Sequence, residues 1–344
     1  MNMQFFSNYI DENKDKFGKV VEVGKSSREI YYDREYVDLL PQNNRLRGKW
    51  NAINKFFGLE GDDDTFRLFE QAATGLERRR ITQLNSSSLF AFLFFHTVSK
   101  DNRVRVKING YEDEFINVAF EVGNTIDDKT LPNGYGTKYR PVSHIDVVLS
   151  NQDSVLLLEC KFSEYLEHYS RSPAKASKKA YSAFYYEKLF NNGGIEGLDC
   201  GECADAKKKQ WITLKRKDGG PCYFDGLKQT IAHFMGAQGI LDSGREAKKF
   251  NFAGKEIRLA EVVFDFSNFN SLSDDDCKER QNAINDYKTF HNRLCKKLMT
   301  VKVAGGRDII VHPDLLCYQN DFDLKLPSKF VEFYKLHTRS DRMR

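Results

Sequence analysis

The stretch from His144 to Lys161 constrains this chain more than any other. It reads as two strongly apolar strands, His144 to Leu149 and Val155 to Phe162, around a short polar turn. Runs this rich in Val, Ile and Leu fill the interior of a sheet rather than its edge. Three charged residues nevertheless sit inside them: Asp146, Glu159 and Lys161. Side chains alternate along a strand, so Leu157, Glu159 and Lys161 share one face. A turn centred between Asn151 and Gln152 sets Asp146 opposite Leu157, on that same face and diagonal to Glu159. Two carboxylates so placed can converge on one ion. An odd-length loop would break the parity unless a bulge restored it. His144 has the parity of Asp146 and is expected near the same place.

Burying such charges on a sheet face is costly unless they pair or hold a metal. Carboxylates and water select hard cations, Mg²⁺ with Mn²⁺ as substitute, over zinc. A lysine beside such an ion can orient an attacking water or stabilise charge on a pentavalent phosphate. This is equipment for metal-assisted phosphodiester hydrolysis.

The surrounding order supports a specific architecture. Asp62 to Asp64 start an amphipathic helix carrying Phe66, Phe69, Ala73 and Leu76. The cluster Asn85 to Ser88 caps a second helix, and Leu89 to Phe95 is apolar all round, as in a helix buried on most sides. Strands follow at Asn117 to Val122, His144 to Leu149 and Val155 to Phe162. A helix is expected at Gly226 to Met235 and another strand at Leu259 to Phe266. A long helix at Asp275 to Met299, a strand at Asp308 to Val311 and a helix at Ser328 to Leu336 complete the reading.

Asp146, twelve intervening residues and then Glu159-Cys160-Lys161, set in that order of elements, resemble the PD-(D/E)XK nuclease superfamily. The likeness spans roughly Ser86 to Phe266. It implies a restriction-endonuclease-like α/β core, a central mixed sheet flanked by helices, with helical N- and C-terminal extensions. It also implies a Mg²⁺-dependent nuclease, most readily a DNA endonuclease, with Asp146 and Glu159 as metal ligands and Lys161 as catalytic residue. Many members add an upstream glutamate. Here Glu121, on the preceding strand, is the candidate third ligand, and Gln229 on the following helix is the candidate polar partner. Glu164 is a candidate supporting carboxylate. The proline of the motif's name is not beside the aspartate; Ile145 is, and Pro141 lies further back.

Composition bounds the rest. The 344 residues hold 53 Lys and Arg against 49 Asp and Glu, a net +4, so the chain is no polycation, though a local basic cleft remains open. Arg78 to Arg80, Arg103 to Lys107, Lys178-Lys179, Lys207 to Lys209 and Lys215 to Lys217 could each meet phosphates. Tyr181, Phe184, Tyr185 and Tyr186 could stack on bases, although their helical spacing suits core packing. No run approaches a membrane span, and no phosphate-cradling loop appears. Seven cysteines, an odd number thinly spread, make no disulfide framework, so a cytoplasmic protein is expected. Cys200 and Cys203 with Cys222 form half a zinc site; His233 is a conceivable fourth ligand, but a structural Zn²⁺ is not expected.

The sequence therefore divides into a mostly helical extension over 1–84, a nuclease-like core over 85–270 with a polar insertion near 169–225, and a helical portion over 271–344. The expected partner is nucleic acid, DNA before RNA, with no membrane, and with a homodimer if both strands of a duplex are cut. The competing reading is a nuclease-like fold that binds nucleic acid without turnover.

Overall fold

The computed structural model describes residues 4–22, 28–59, 61–74, 77–125, 131–132, 138–139, 142–162, 181–182, 195–202, 211–219, 224–243, 252, 254–266, 274–299 and 309–336. The chain opens with α1 (Gln4–Phe17), the strand pair β1 (Val20–Glu22) and β2 (Arg28–Ile30), then α2 (Arg34–Leu39) and α3 (Gln42–Phe57). Helices α4 (Asp63–Ala72), α5 (Glu77–Arg80) and α6 (Ser87–Phe95) follow. Next come a hairpin, β3 (Val104–Ile108) and β4 (Tyr111–Phe115), then β5 (Asn117–Thr125), and a small pair, β6 (Leu131–Pro132) and β7 (Lys138–Tyr139). β8 (Val142–Ser150) and β9 (Ser154–Lys161) carry the charged motif. Beyond them lie β10 (Tyr181–Ser182), β11 (Leu198–Glu202), β12 (Trp211–Arg216) and α7 (Phe224–Ser243). The last elements are β13 (Glu256–Val263), α8 (Asp274–Met299), β14 (Ile309–Val311), β15 (Leu316–Cys317), β16 (Phe322–Asp323) and α9 (Ser328–Phe333).

The central sheet runs β14-β13-β9-β8-β5, with β15 also on β13. β5, β8 and β9 are antiparallel neighbours, whereas β13 lies parallel to β9 and to β14. A parallel neighbour needs a crossover, and α7 lies between β9 and β13 in the chain. The fold is thus mixed α/β, a mixed sheet flanked by helices. The stretch expected as a polar insertion contains a small sheet of its own, in the order β10-β12-β11.

Two apolar cores sandwich the sheet. Leu156, Leu158 and Cys160 of β9 pack with α6, whereas Val155 and Leu157 pack with Ile231 and Phe234 of α7 and Leu294 of α8. Every residue of β9 is buried. The α6 helix is capped by Ser86, whose Oγ accepts from Leu89 N at 3.3 Å, and Leu89 to Phe95 are all buried. The core on this side reaches both ends of the described chain. Phe90 lies 4.8 Å from Phe162, 5.1 Å from Phe264, 4.7 Å from Tyr318 and 4.9 Å from Tyr334, between ring centres. Phe6 joins it 5.3 Å from Phe162. The first sixty residues, polar and mixed by composition, form α1 and α3 because Phe6, Ile10 and Phe17, and Leu46, Trp50, Ile53 and Phe57, repeat at helical steps and fill this core.

The β8–β9 turn differs from its sequence reading. Paired residues run from Ser150↔Val155 to Val147↔Leu158, so the turn is centred one residue later than expected. Continued, this register sets Asp146 opposite Glu159 rather than Leu157. The cause is Asn151, whose Oδ1 accepts from Asp153 N at 2.9 Å and Ser154 N at 2.7 Å while its Nδ2 donates to Asp113 Oδ1 at 2.8 Å. Asn151 therefore closes the turn itself and leaves Gln152-Asp153 as the tip. The loop is still even, so both carboxylates keep a common side.

Candidate active site

Alternation along β9 turns Glu159 and Lys161 toward α7, at the C-terminal end of an otherwise apolar strand. Gln229 and His233, four residues apart on α7, share one helix face and meet them. The Lys161 ammonium donates to Glu159 Oε1 and, at 2.7 Å, to Gln229 Oε1. His233 Nε2 donates to the other Glu159 oxygen, and its Nδ1 meets the hydroxyl of Ser143. Both Glu159 oxygens are engaged by cation-forming groups. Burial alone would push its carboxyl up, but Lys161 and His233 hold it down at about 2.

Asp146 is half-buried, and its Oδ2 accepts from the backbone N–H of Cys160 at 2.7 Å. That bond replaces a ladder bond where β8 and β9 separate, because the paired residues between them end at Val147 and Leu158. Burial, then the charges of Glu159 and Glu121, push the Asp146 carboxyl well above its ordinary value, against Lys161 and the Cys160 N–H.

Glu121 stands across from Asp146, at the one opposed pair missing from an otherwise unbroken β5–β8 ladder. Its φ is +48°, a region that non-glycine residues adopt at about 1–3 kcal/mol and that recurs at functional sites. Alternation switches here in both strands. Phe120 and Val147 pack on the α6 side, yet their neighbours two along, Val122 and Ile145, pack on the α7 side. The switch corrects the parity reading for His144, which is exposed; Ser143 turns inward instead to reach His233.

The sequence reading missed two members of this cluster. His233, considered in the sequence only as a conceivable zinc ligand, bonds Glu159. Glu261 of β13 is the direct neighbour of Glu159, fully buried within the run Ala260 to Val263. Its alternation and register were the available signals. Tyr287 donates to one Glu261 oxygen; Thr230 donates to the other at 3.3 Å, and His291 Nε2 lies 3.5 Å from it. Because His291 Nδ1 faces the Pro313 carbonyl at 3.2 Å and must donate there, its Nε2 offers a lone pair, which suits a protonated Glu261. Burial pushes the Glu261 carboxyl up to about 7, against the pull of Lys161. A folded pKa above the unfolded value confers stability that is present at low pH and lost as pH rises toward 7. Glu261→Gln removes this titration. Its stability relative to the parent is expected to improve by about 3 kcal/mol between pH 5 and pH 8. Urea denaturation at both pH values checks this, and an unchanged difference would refute it.

Asp146, Glu159 and Glu121 form a donor set of hard oxygens in which the two glutamates raise the proton affinity of Asp146, and such a set fits a divalent cation by chemistry. As they stand, no group of three or more His, Cys, Asp or Glu among the described residues is arranged as a metal site. Cys203, Cys222, Glu164, Phe184, Tyr185, Tyr186 and the lysines at 178–179 and 207–209 lie outside the described residues, as do the side chains of Cys200, Tyr181 and Lys215. The Arg103–Lys107 cluster is largely neutralised: Arg105 pairs with Glu114 at 2.6 Å and Lys107 with Glu112 at 3.0 Å. Arg216 pairs with Asp286 at 3.0 Å and with Asp218. No helix among the described residues is long and apolar enough to cross a membrane.

Fold and cluster together define a mixed α/β protein with a carboxylate–lysine site at the end of a central strand. The chain belongs to the family described as Restriction Endonuclease associating with ARP, whose model matches residues 9–215, more than half its length. The matched span contains Glu121, Asp146, Glu159 and Lys161 and stops before α7 and β13. No curated protein matches the chain, and neither does any solved structure.

Proposed function

We propose that the chain is a metal-dependent nuclease of restriction-endonuclease-like, PD-(D/E)XK type that hydrolyses phosphodiester bonds of DNA, in restriction or another defence role. The observation that carries this reading is the meeting of Asp146, Glu159 and Lys161 where β8 and β9 part, with Lys161 held between Glu159 and Gln229. Family membership supports a nuclease-related activity.

Asp146 and Glu159, with Glu121 as third carboxylate, would hold Mg²⁺, which would acidify water and draw charge from the scissile phosphate. The rest is the work of this chain. Gln229 and Glu159 fix the Lys161 ammonium, so its positive charge is pre-aimed at charge developing on phosphorus-bound oxygens. His233 and Ser143 hold Glu159 in its ionised form. The Cys160 N–H fixes the rotamer of Asp146. The buried Leu157 and Ile231 beneath the site keep the local dielectric low and strengthen these interactions.

The test is incubation of supercoiled plasmid with Mg²⁺, with Mn²⁺ and with EDTA, using the parent and Asp146→Asn. Nicking or linearisation is expected with either metal, none with EDTA, and none above background in the variant. Binding of the plasmid without cutting under every metal condition would replace the nuclease by a non-catalytic nucleic-acid-binding module.

A further inference from the structure

Away from the sheet's charged cluster, α2, α3 and α5 surround a cavity of about 700 Å³. Five cationic side chains line it, Arg34, Arg45, Lys49, Arg78 and Arg79, against one carboxylate, Asp38. These cations come from three helices, so the Arg78 to Arg80 run is only one wall of a convergent site. Three of the five are oriented by carbonyl oxygens, which fix a head group without cancelling its charge. Lys49 Nζ donates to Arg78 O, Arg78 Nε to Ala73 O at 3.1 Å, and Arg45 Nε to Leu40 O at 2.6 Å. Arg34 pairs with the buried Glu29.

Lys49 is the telling member. It is 7% exposed, and burial, aided by Arg34 and opposed by Asp38, lowers its ammonium to about 8. A desolvated ammonium among like charges opposes folding. An anion entering the cavity would relieve both costs.

We propose that this cavity binds a terminal phosphate, the dianionic group of a free nucleotide or of a phosphorylated nucleic-acid end. A phosphodiester carries a single charge and lies along an open groove, whereas a terminal phosphate presents nearly two charges and three acceptor oxygens to a closed set of donors. Guanidinium forks match those oxygens in pairs. The volume lies within the roughly 300–1,000 Å³ of small-ligand sites, so a nucleotide fits. The site shares no residue with the nuclease reading and does not depend on it.

Calorimetric titration in EDTA tests this with dAMP and with a short single-stranded DNA bearing either a 5′-phosphate or a 5′-hydroxyl. dAMP and the phosphorylated strand are expected to bind, and the hydroxyl strand at least about tenfold more weakly. Arg45→Gln combined with Arg79→Gln alters two exposed side chains. It is expected to weaken phosphate binding at least about tenfold, with an unchanged melting temperature in the absence of ligand. Asp146→Asn is expected to bind like the parent, whether or not the parent cleaves DNA. Tighter binding of dAMP than of the strand end identifies a free nucleotide as the source, and the reverse identifies a strand end; both support the proposal. Equal affinity for the two strands, full affinity in the double variant, or no binding of either phosphate probe at millimolar concentration would overturn it.

Discussion

Lys161→Met is expected to reduce DNA cleavage by at least about 10²–10³-fold, the scale on which removal of one pre-aimed donor slows reactions that develop oxyanion charge. Methionine keeps the stem that fills the end of β9 and deletes the ammonium. The loss must be separated from unfolding, because of the side-chain bonds from Lys161 and His233 Glu159 would keep the one from His233. Breaking a buried pair from one side costs about 3–5 kcal/mol, and the retained histidine bond places this case at the lower end. The parent offers an internal check. With its carboxyl held at about 2, Glu159 contributes stability that is full above its unfolded value and lost as pH falls toward 2. In the variant that loss should be smaller, because without the Lys161 charge the folded carboxyl rises toward its unfolded value. Urea denaturation from pH 3 to 7 reads it, beside cleavage rates at pH 7 on protein shown to be folded. A folded Lys161→Met protein that still cleaves at the parental rate would remove Lys161 from the chemistry.

The largest expected effect on stability lies behind the sheet. Phe90→Ala should destabilise the protein by about 3–5 kcal/mol, the range for deleting a buried ring whose surroundings cannot collapse. Phe162, Phe264, Tyr318, Phe330 and Tyr334 pack around Phe90, with ring centres between 4.7 and 5.4 Å away. They come from the residues that follow β9, β13 and β15 and from α9 and the residue after it, so no single movement can fill the void. Against a typical total of about 5–15 kcal/mol this is a large fraction. Phe90→Leu, which retains most of the volume, should lose only about 1–2 kcal/mol. Denaturant midpoints at constant slope decide it. An Ala variant within 1 kcal/mol of the parent would show that the ring cluster relaxes freely.

Five strands of the central sheet, all but the two-residue β15, were legible because their signals are local. A continuous apolar run marks a buried strand, and charges within it stand out. Ser86 and Asp62 likewise announced their helices, since an N-cap acts on residues three positions away. The turn register was misjudged by one residue because it is fixed by Asn151 reaching Asp113 on β4, a contact 38 residues distant. His144 was misplaced for a related reason. Strict alternation assumes a regular strand, and the positive φ at Glu121 accompanies a change of face that no pattern in β8 reveals. Glu261 and His233 could be joined to Glu159 only through strand order and helix placement. A parallel neighbour supplied by a crossover cannot be identified from either strand alone.

The aromatic cluster behind β9 has a consequence for the timing of synthesis. Tyr334 donates to the carbonyl of Leu84 across 250 residues of chain, and its ring also packs on Phe162, next to Lys161. At roughly 5–20 residues per second, a ribosome needs tens of seconds after making Leu84 to deliver that tyrosine. Until then the rear of the charged strand lacks its cover. The charged cluster of a newborn chain therefore lacks its backing until the segment carrying Tyr334 has been made, so it is completed by that distant segment and not as its own strands emerge.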